Sequence, residues 1–170
     1  MDLNRKRMNA GITAEDNRSE LSAGSTVTLE ITAYGSEGQG IARHNGMAVF
    51  VPGAICGETV EAEIKKAAPS FAEAKLQKIL RPSAERVIPP CPHYAECGGC
   101  DILHMSYAEQ LRMKRETVRS AMERIGGFRG IEILPCIGAD KPEHYRNKAV
   151  FQFANAEKTN KKNLRQVLSG

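Results

Sequence analysis

A small closed β barrel, followed by a cysteine-rich loop and one amphipathic helix, is the fold class this chain predicts. Three observations carry it. Short stretches of period-two apolar alternation, broken by glycine and proline, recur between residues 25 and 80. A double proline then leads into Cys91-Pro92-His93-Tyr94-Ala95-Glu96-Cys97-Gly98-Gly99-Cys100, and beyond it apolar residues repeat at helical spacing from Tyr107 to Ile125. The 170 residues suffice for one medium domain or two small ones. Hydrophobic residues make up 41% and charged residues 26%, a globular balance, and with 5% aromatics and no tryptophan any core must be aliphatic.

Residues 1–23 are polar, carry the triplet Arg5-Lys6-Arg7 and show no sustained apolar period, so they read as a disordered leader. From Ser25 the pattern alternates, with Val27, Leu29 and Ile31 on one face of a first strand. A turn-rich stretch with Gly35, Gly38 and Gly40 follows, and Met47–Val51 makes the second strand, stopped by Pro52-Gly53. A third runs from Glu58 to Lys65 through Val60, Ala62 and Ile64, and a fourth from Phe71 to Leu80 through Ala72, Ala74 and Leu76. Short strands this closely spaced favour an OB or SH3-like barrel over residues 24–82, because closure protects the edges of so small a sheet. The glycines lack both the helix of a dinucleotide fingerprint and the Gly-Lys-Ser/Thr of a P-loop. They read as loop glycines free to take positive φ, in a loop that could also let a nucleic-acid backbone approach. Cys56 reads as a small buried hydrophobe at a turn.

Residues 83–104 form the linker and the cysteine cluster, stiffened by Pro89-Pro90. Ser106-Tyr107-Ala108-Glu109 is a capping-box start for a helix over 105–127, with Tyr107, Leu111, Val118, Ala121, Met122 and Ile125 as its apolar stripe and Gly126-Gly127 as its end. Residues 128–170 read as the start of an α+β module, with strands expected at Ile131–Ile137, carrying a buried Cys136, and at Ala149–Phe153.

No apolar run approaches the roughly 20 residues that cross a bilayer, and the N-terminus has no signal-peptide stretch. A cytoplasmic, reducing compartment is therefore expected, where five cysteines with three clustered point to a metal or cluster site rather than disulfides. Net charge is +4, and it is unevenly divided: residues 81–170 carry fifteen basic and ten acidic groups, residues 24–80 five and six. That excess fits a polyanionic partner such as RNA.

Three thiolates at Cys91, Cys97 and Cys100 leave a tetrahedral zinc or a [4Fe-4S] cluster one ligand short. His104 would complete a Cys3His zinc set and His93 is a second candidate, so spacing alone fits both metals.

Arg86-Val87 before Cys91, then Cys97-Gly98-Gly99-Cys100, His104, Tyr107, Gln110-Leu111, Lys114 and Arg124-Ile125-Gly126-Gly127, resemble the RNA uracil-5 methyltransferases of the 23S ribosomal RNA type that carry an N-terminal TRAM domain. Tyr145-Arg146-Asn147-Lys148 looks like the same family's motif, as do Gly38-Gln39-Gly40 and Val49-Phe50-Val51-Pro52-Gly53 in TRAM-like positions. The resemblance spans roughly residues 24–154. It implies an RNA-binding TRAM barrel, a [4Fe-4S] cluster on Cys91, Cys97 and Cys100, and S-adenosylmethionine-dependent methylation of C5 of a uridine. In that chemistry a cysteine adds to C6 of a flipped-out uracil before C5 takes the methyl group. The family's methyl-donor domain, nucleophile, base and fourth cluster cysteine would all lie downstream of Gly170. The expectation is therefore an N-terminal, monomeric RNA-recognition piece without a catalytic site, with Arg43, Arg146 and Lys148 as RNA contacts. The alternative is a stand-alone TRAM plus Cys3His zinc module.

Overall fold

The computed structural model describes residues 21–97, 99–145 and 147. Five strands, β1 (Thr26–Tyr34), β2 (Gly40–His44), β3 (Met47–Val51), β4 (Thr59–Ala67) and β5 (Phe71–Arg81), close into a barrel in the order β1-β2-β3-β5-β4. Adjacent pairs are antiparallel except β3 and β5, which run parallel. Closure leaves no long edge to template aggregation.

The alternation read from sequence sets which residues fill the barrel. Leu29 and Ile31 of β1, Val60, Ala62 and Ile64 of β4, and Ala72 and Ala74 of β5 all point inward and are buried. Each fully buried Val or Ile stabilises the fold by about 1.5–3 kcal/mol over its exposed state. Leu21 joins this cluster and the Gly24 amide donates to the Ile64 carbonyl (2.8 Å), so the barrel begins inside what sequence assigned to the leader. Residues 1–20 lie outside the described residues.

Sequence missed β2, because its inward positions are Gly40 and Ala42, too small to register as an apolar stripe. Gly40 is required there: a Cβ would come within 2.9 Å of both the Ala54 carbonyl oxygen and Ile31 Cγ2. The signal that could have found the strand is Asn45-Gly46, which turns with φ of 49° and 83° between the paired His44 and Met47, as a two-residue hairpin demands.

A four-residue helix α1 (Tyr94–Cys97) sits within the cysteine loop, and α2 spans Tyr107–Arg124. The Ser106 side chain accepts from the Glu109 amide (3.1 Å), as the capping box predicts. Its reciprocal half is absent, because the Ser106 amide donates instead to the Glu85 carbonyl (2.8 Å) and the Glu109 carboxylate turns to the barrel. The face of α2 that meets the barrel is Glu109 and Met113, not the expected stripe. Met113 packs with Ile55, Met105, Tyr34 and Ile102 in a second small core. Tyr107 and Leu111 instead line the extended segment near Gly138, whose Ala139 amide donates to the Tyr107 hydroxyl (2.7 Å), while Val118 and Ile125 are exposed.

Residues 131–137 form no strand, a correction to the sequence reading: among the described residues no strand lies beside them to share a ladder, and side chains of α2 hold the segment instead, including Arg115 Nε donating to the Ile133 carbonyl (2.7 Å). Cys136 is accordingly partly exposed rather than buried. The strand expected at Ala149–Phe153 falls outside the described residues.

Candidate nucleic-acid interface

The barrel's charges look balanced in sequence, and folding separates them. Strands β2 to β5 carry six basic residues, Arg43, Lys65, Lys66, Lys75, Lys78 and Arg81, against three acidic ones, Glu61, Glu63 and Glu73, all on the outer surface. Of the remaining acids of the barrel, Glu30 on β1 is exposed and pairs with Arg81 (3.7 Å), Glu37 lies in the β1–β2 loop, and Glu58 is completely buried. The β2–β5 surface is thus the part of the barrel with a positive excess. Arg43 lies on it, exposed, donating to the Gly46 carbonyl (2.9 Å) across its own hairpin turn.

Gly38 faces the other way. It has φ of 81°, and a Cβ there would meet Ile102 Cγ2 at 2.7 Å and Met113 Sδ at 3.4 Å. The close approach that this glycine permits is therefore to the cysteine loop and α2.

Glu58 holds that second side together. Its carboxylate takes Arg86 bidentately (Nε to Oε1, 2.5 Å; a terminal nitrogen to Oε2, 2.8 Å) and accepts from the amides of Ile55 (2.9 Å) and Ser83 (3.3 Å). Burial alone would push its pKa up, but Arg86 and the two amides outweigh it and hold the carboxyl below its ordinary value. Arg86 also donates to the Gly53 carbonyl (2.7 Å). Beside it, residues 85–87 run antiparallel to 104–106: Arg86 bridges Met105, and the Val87 amide donates to the His104 carbonyl (3.0 Å). The linker is therefore a neck clamped to the barrel, and the cysteine loop is the excursion it closes.

A second tie joins α2 to β1. The Tyr34 hydroxyl donates to Glu109 Oε1 and accepts from the Cys56 amide (3.0 Å), while Arg112 forks onto the same carboxylate (2.6 and 2.5 Å). Burial, reinforced by the bond to Glu109, raises the Tyr34 pKa well above its usual value. Cys56 sits at this junction partly exposed, not buried as the sequence suggested. Sequence reasoning passed over Glu58, Tyr34 and Arg112, since a charged or phenolic side chain at a strand end, in a turn or on the polar flank of a helix reads as solvent-facing.

Within the loop, Cys91 is partly buried and Cys100 exposed, both free thiols, and the side chain of Cys97 lies outside the described residues. The Tyr94 hydroxyl donates to the Asp101 carbonyl (2.9 Å) and is hydrogen bonded to His104 Nδ1 (2.6 Å), which ties the two ends of the cysteine stretch together. His104 is 4% exposed. The donor chemistry of three cysteines suits a thiophilic metal or cluster, although among the described residues no three His, Cys, Asp or Glu side chains are gathered to hold one. Arg146 and Lys148 lie outside the described residues. No helix among the described residues is long and apolar enough to cross a membrane.

Residues 20–77 match the TRAM domain family, which places the domain on the barrel itself. An uncharacterized RNA methyltransferase of Clostridium tetani is 48% identical over 124 residues, covering 73% of this chain and 27% of the relative. Another from Halalkalibacterium halodurans is 41% identical over 144 residues, covering 84% of this chain and 31% of the relative. A conserved protein of Methanococcus maripaludis, solved in solution, is 33% identical and overlaps 41% of this chain and 97% of its own, with a TM-score of 0.33. The chain spans less than a third of the length of these two methyltransferases. Residues 20–77 thus carry a TRAM domain, and over most of its length this chain is similar to curated proteins named as RNA methyltransferases.

Proposed function

We propose that this chain is the RNA-recognition portion of an S-adenosylmethionine-dependent methyltransferase that modifies C5 of a uridine in 23S ribosomal RNA. The observation that carries the reading is the pairing of a TRAM barrel, positively charged over β2 to β5, with 48% identity to a protein named as an RNA methyltransferase. The uridine and ribosomal assignment rests on the motifs around the cysteine loop and Tyr145-Arg146-Asn147-Lys148. On this reading Arg43, Arg146 and Lys148 contact phosphates, and the chain positions RNA without itself performing methyl transfer.

Cys91, Cys97 and Cys100 would hold a [4Fe-4S] cluster, which supplies a rigid, oxidation-sensitive cross-link for the loop. The chain's own part is to fix the loop's ends through the Arg86–Met105 bridge and the bond between Tyr94 and Asp101. A second reading, a stand-alone TRAM plus Cys3His zinc module, draws on His104, a nearly buried imidazole shortly after Cys100 in the chain. Anaerobic purification separates the two. Iron and sulfide with a visible cluster absorption band support the first reading, whereas colourless protein with stoichiometric zinc supports the second. For the RNA contacts, Arg146→Ala with Lys148→Ala is expected to weaken binding to a 23S-derived RNA in a filter assay, and unchanged binding would remove that assignment.

A further inference from the structure

The barrel places its two phenylalanines where the core has no use for them. Its interior is filled by small aliphatic side chains, and neither Phe50 nor Phe71 belongs to or packs against that buried cluster. Both stand on the outer face, partly exposed, with ring centroids 6.0 Å apart and planes crossed at 80°. Strand register explains the meeting: Phe71 pairs with Ala48 and Phe50 with Glu73 across the parallel β3–β5 junction, so the two rings lie diagonally on one surface.

Cations border them. Arg43 is opposite Ala48, which is opposite Phe71, so Arg43, Ala48 and Phe71 form one row across three strands. At strand spacing the ends of that row are about 10 Å apart. On the other side Lys66 Nζ stands 5.8 Å from the Phe71 ring centroid, and its ion pair with Glu73 is a loose 3.9 Å between exposed groups. Such a pair is readily exchanged for a phosphate.

We propose that the outer face of β2, β3 and β5 is a stacking platform for unpaired bases of single-stranded RNA, with Phe50 and Phe71 as the stacking rings and Arg43 and Lys66 as the phosphate contacts. The inference rests on the RNA-recognition reading above and specifies the form of RNA. A duplex presents grooves and backbone, its base faces being already stacked, whereas phenyl rings on a sheet offer a surface only to a base whose face is free. The positive excess over β2 to β5 suits the backbone of that strand. A protein partner would be drawn by a larger, less charged apolar face than two half-covered rings among lysines and arginine.

The test uses the full 170-residue chain and fluorescence anisotropy with a 12-nucleotide single-stranded RNA and a duplex of the same composition. The chain is expected to prefer the single strand. Phe50→Leu with Phe71→Leu, which keeps apolar cover but removes the rings, should weaken single-strand binding about tenfold or more while leaving its salt dependence intact. Phe50→Tyr with Phe71→Tyr should retain binding. Circular dichroism and thermal melting check folding, and if the Leu pair does not fold the two single Leu variants are read instead. Single-strand affinity within twofold of wild type in the folded Leu variants would overturn the platform while leaving RNA recognition standing. Equal loss on the duplex, or loss of a self-association rather than of RNA binding, would overturn it too. A wild-type chain that binds neither RNA would remove both readings together.

Discussion

At the scale of single residues, the least expected finding is how much rests on Glu58. The Arg86–Glu58 pair is bidentate and the carboxylate fully buried, so removing one partner strands the other's charge away from water. Arg86→Ala is expected to cost about 3–5 kcal/mol in a urea unfolding titration. The pH dependence follows from the direction of the Glu58 shift. Its folded pKa is depressed, so the stabilisation is present above the ordinary carboxylate value of about 4.3 and is lost as pH falls through the lower folded value. Wild type should therefore lose stability progressively below about pH 4.3. Without Arg86, burial dominates and raises the same pKa, so the gap between variant and wild type should narrow on acidification. A gap that is constant from pH 7 to pH 3 would show that the pair is not the source.

Among the elements, β2 is the most exacting. A small inward-facing strand lets the Ala54 backbone pass within contact of Gly40, which no larger residue allows. Gly40→Val is expected to destabilise the fold by about 1–3 kcal/mol or more through overpacking, read from the thermal midpoint, whereas the exposed Gly46→Asn should cost far less. The helix shows the converse. Its N-terminus was legible from Ser106 and Glu109, because capping is a local event. Its buried face was not, because which stripe packs depends on where the barrel lies; Glu109 and Met113 are buried by Tyr34 and Ile55, residues far away in sequence. The apolar residues from Val118 to Met122 do lie on the helix, with Ile125 as its C-cap, but Val118 and Ile125 stay exposed.

For the molecule as a whole, charge is what folding redistributes. Residues 24–80 hold five basic and six acidic groups, a balance that predicts no electrostatic partner. Burying Glu58 and leaving Glu37 in a loop strip acids from the β2–β5 surface, where of the β1 acids only Glu30 reaches it, through Arg81. If that surface meets RNA phosphates, Lys66→Gln should reduce the slope of log affinity against log salt by about 0.7, the value for one single-strand phosphate contact. An unchanged slope would place the contact elsewhere.

The sequence by itself determined the barrel class, the inward residues of β1, β4 and β5, and the position of the long helix. These are readable because alternation and capping are properties of neighbours along the chain. Only the tertiary structure decided that a glycine strand completes the barrel, that the linker is clamped by Arg86 to Glu58, that α2 docks through a carboxylate, and that Phe50 and Phe71 share one face with Arg43 and Lys66. Each of those depends on strand register and on pairs separated by tens of residues, and no local period encodes which distant groups closure of a barrel will bring together.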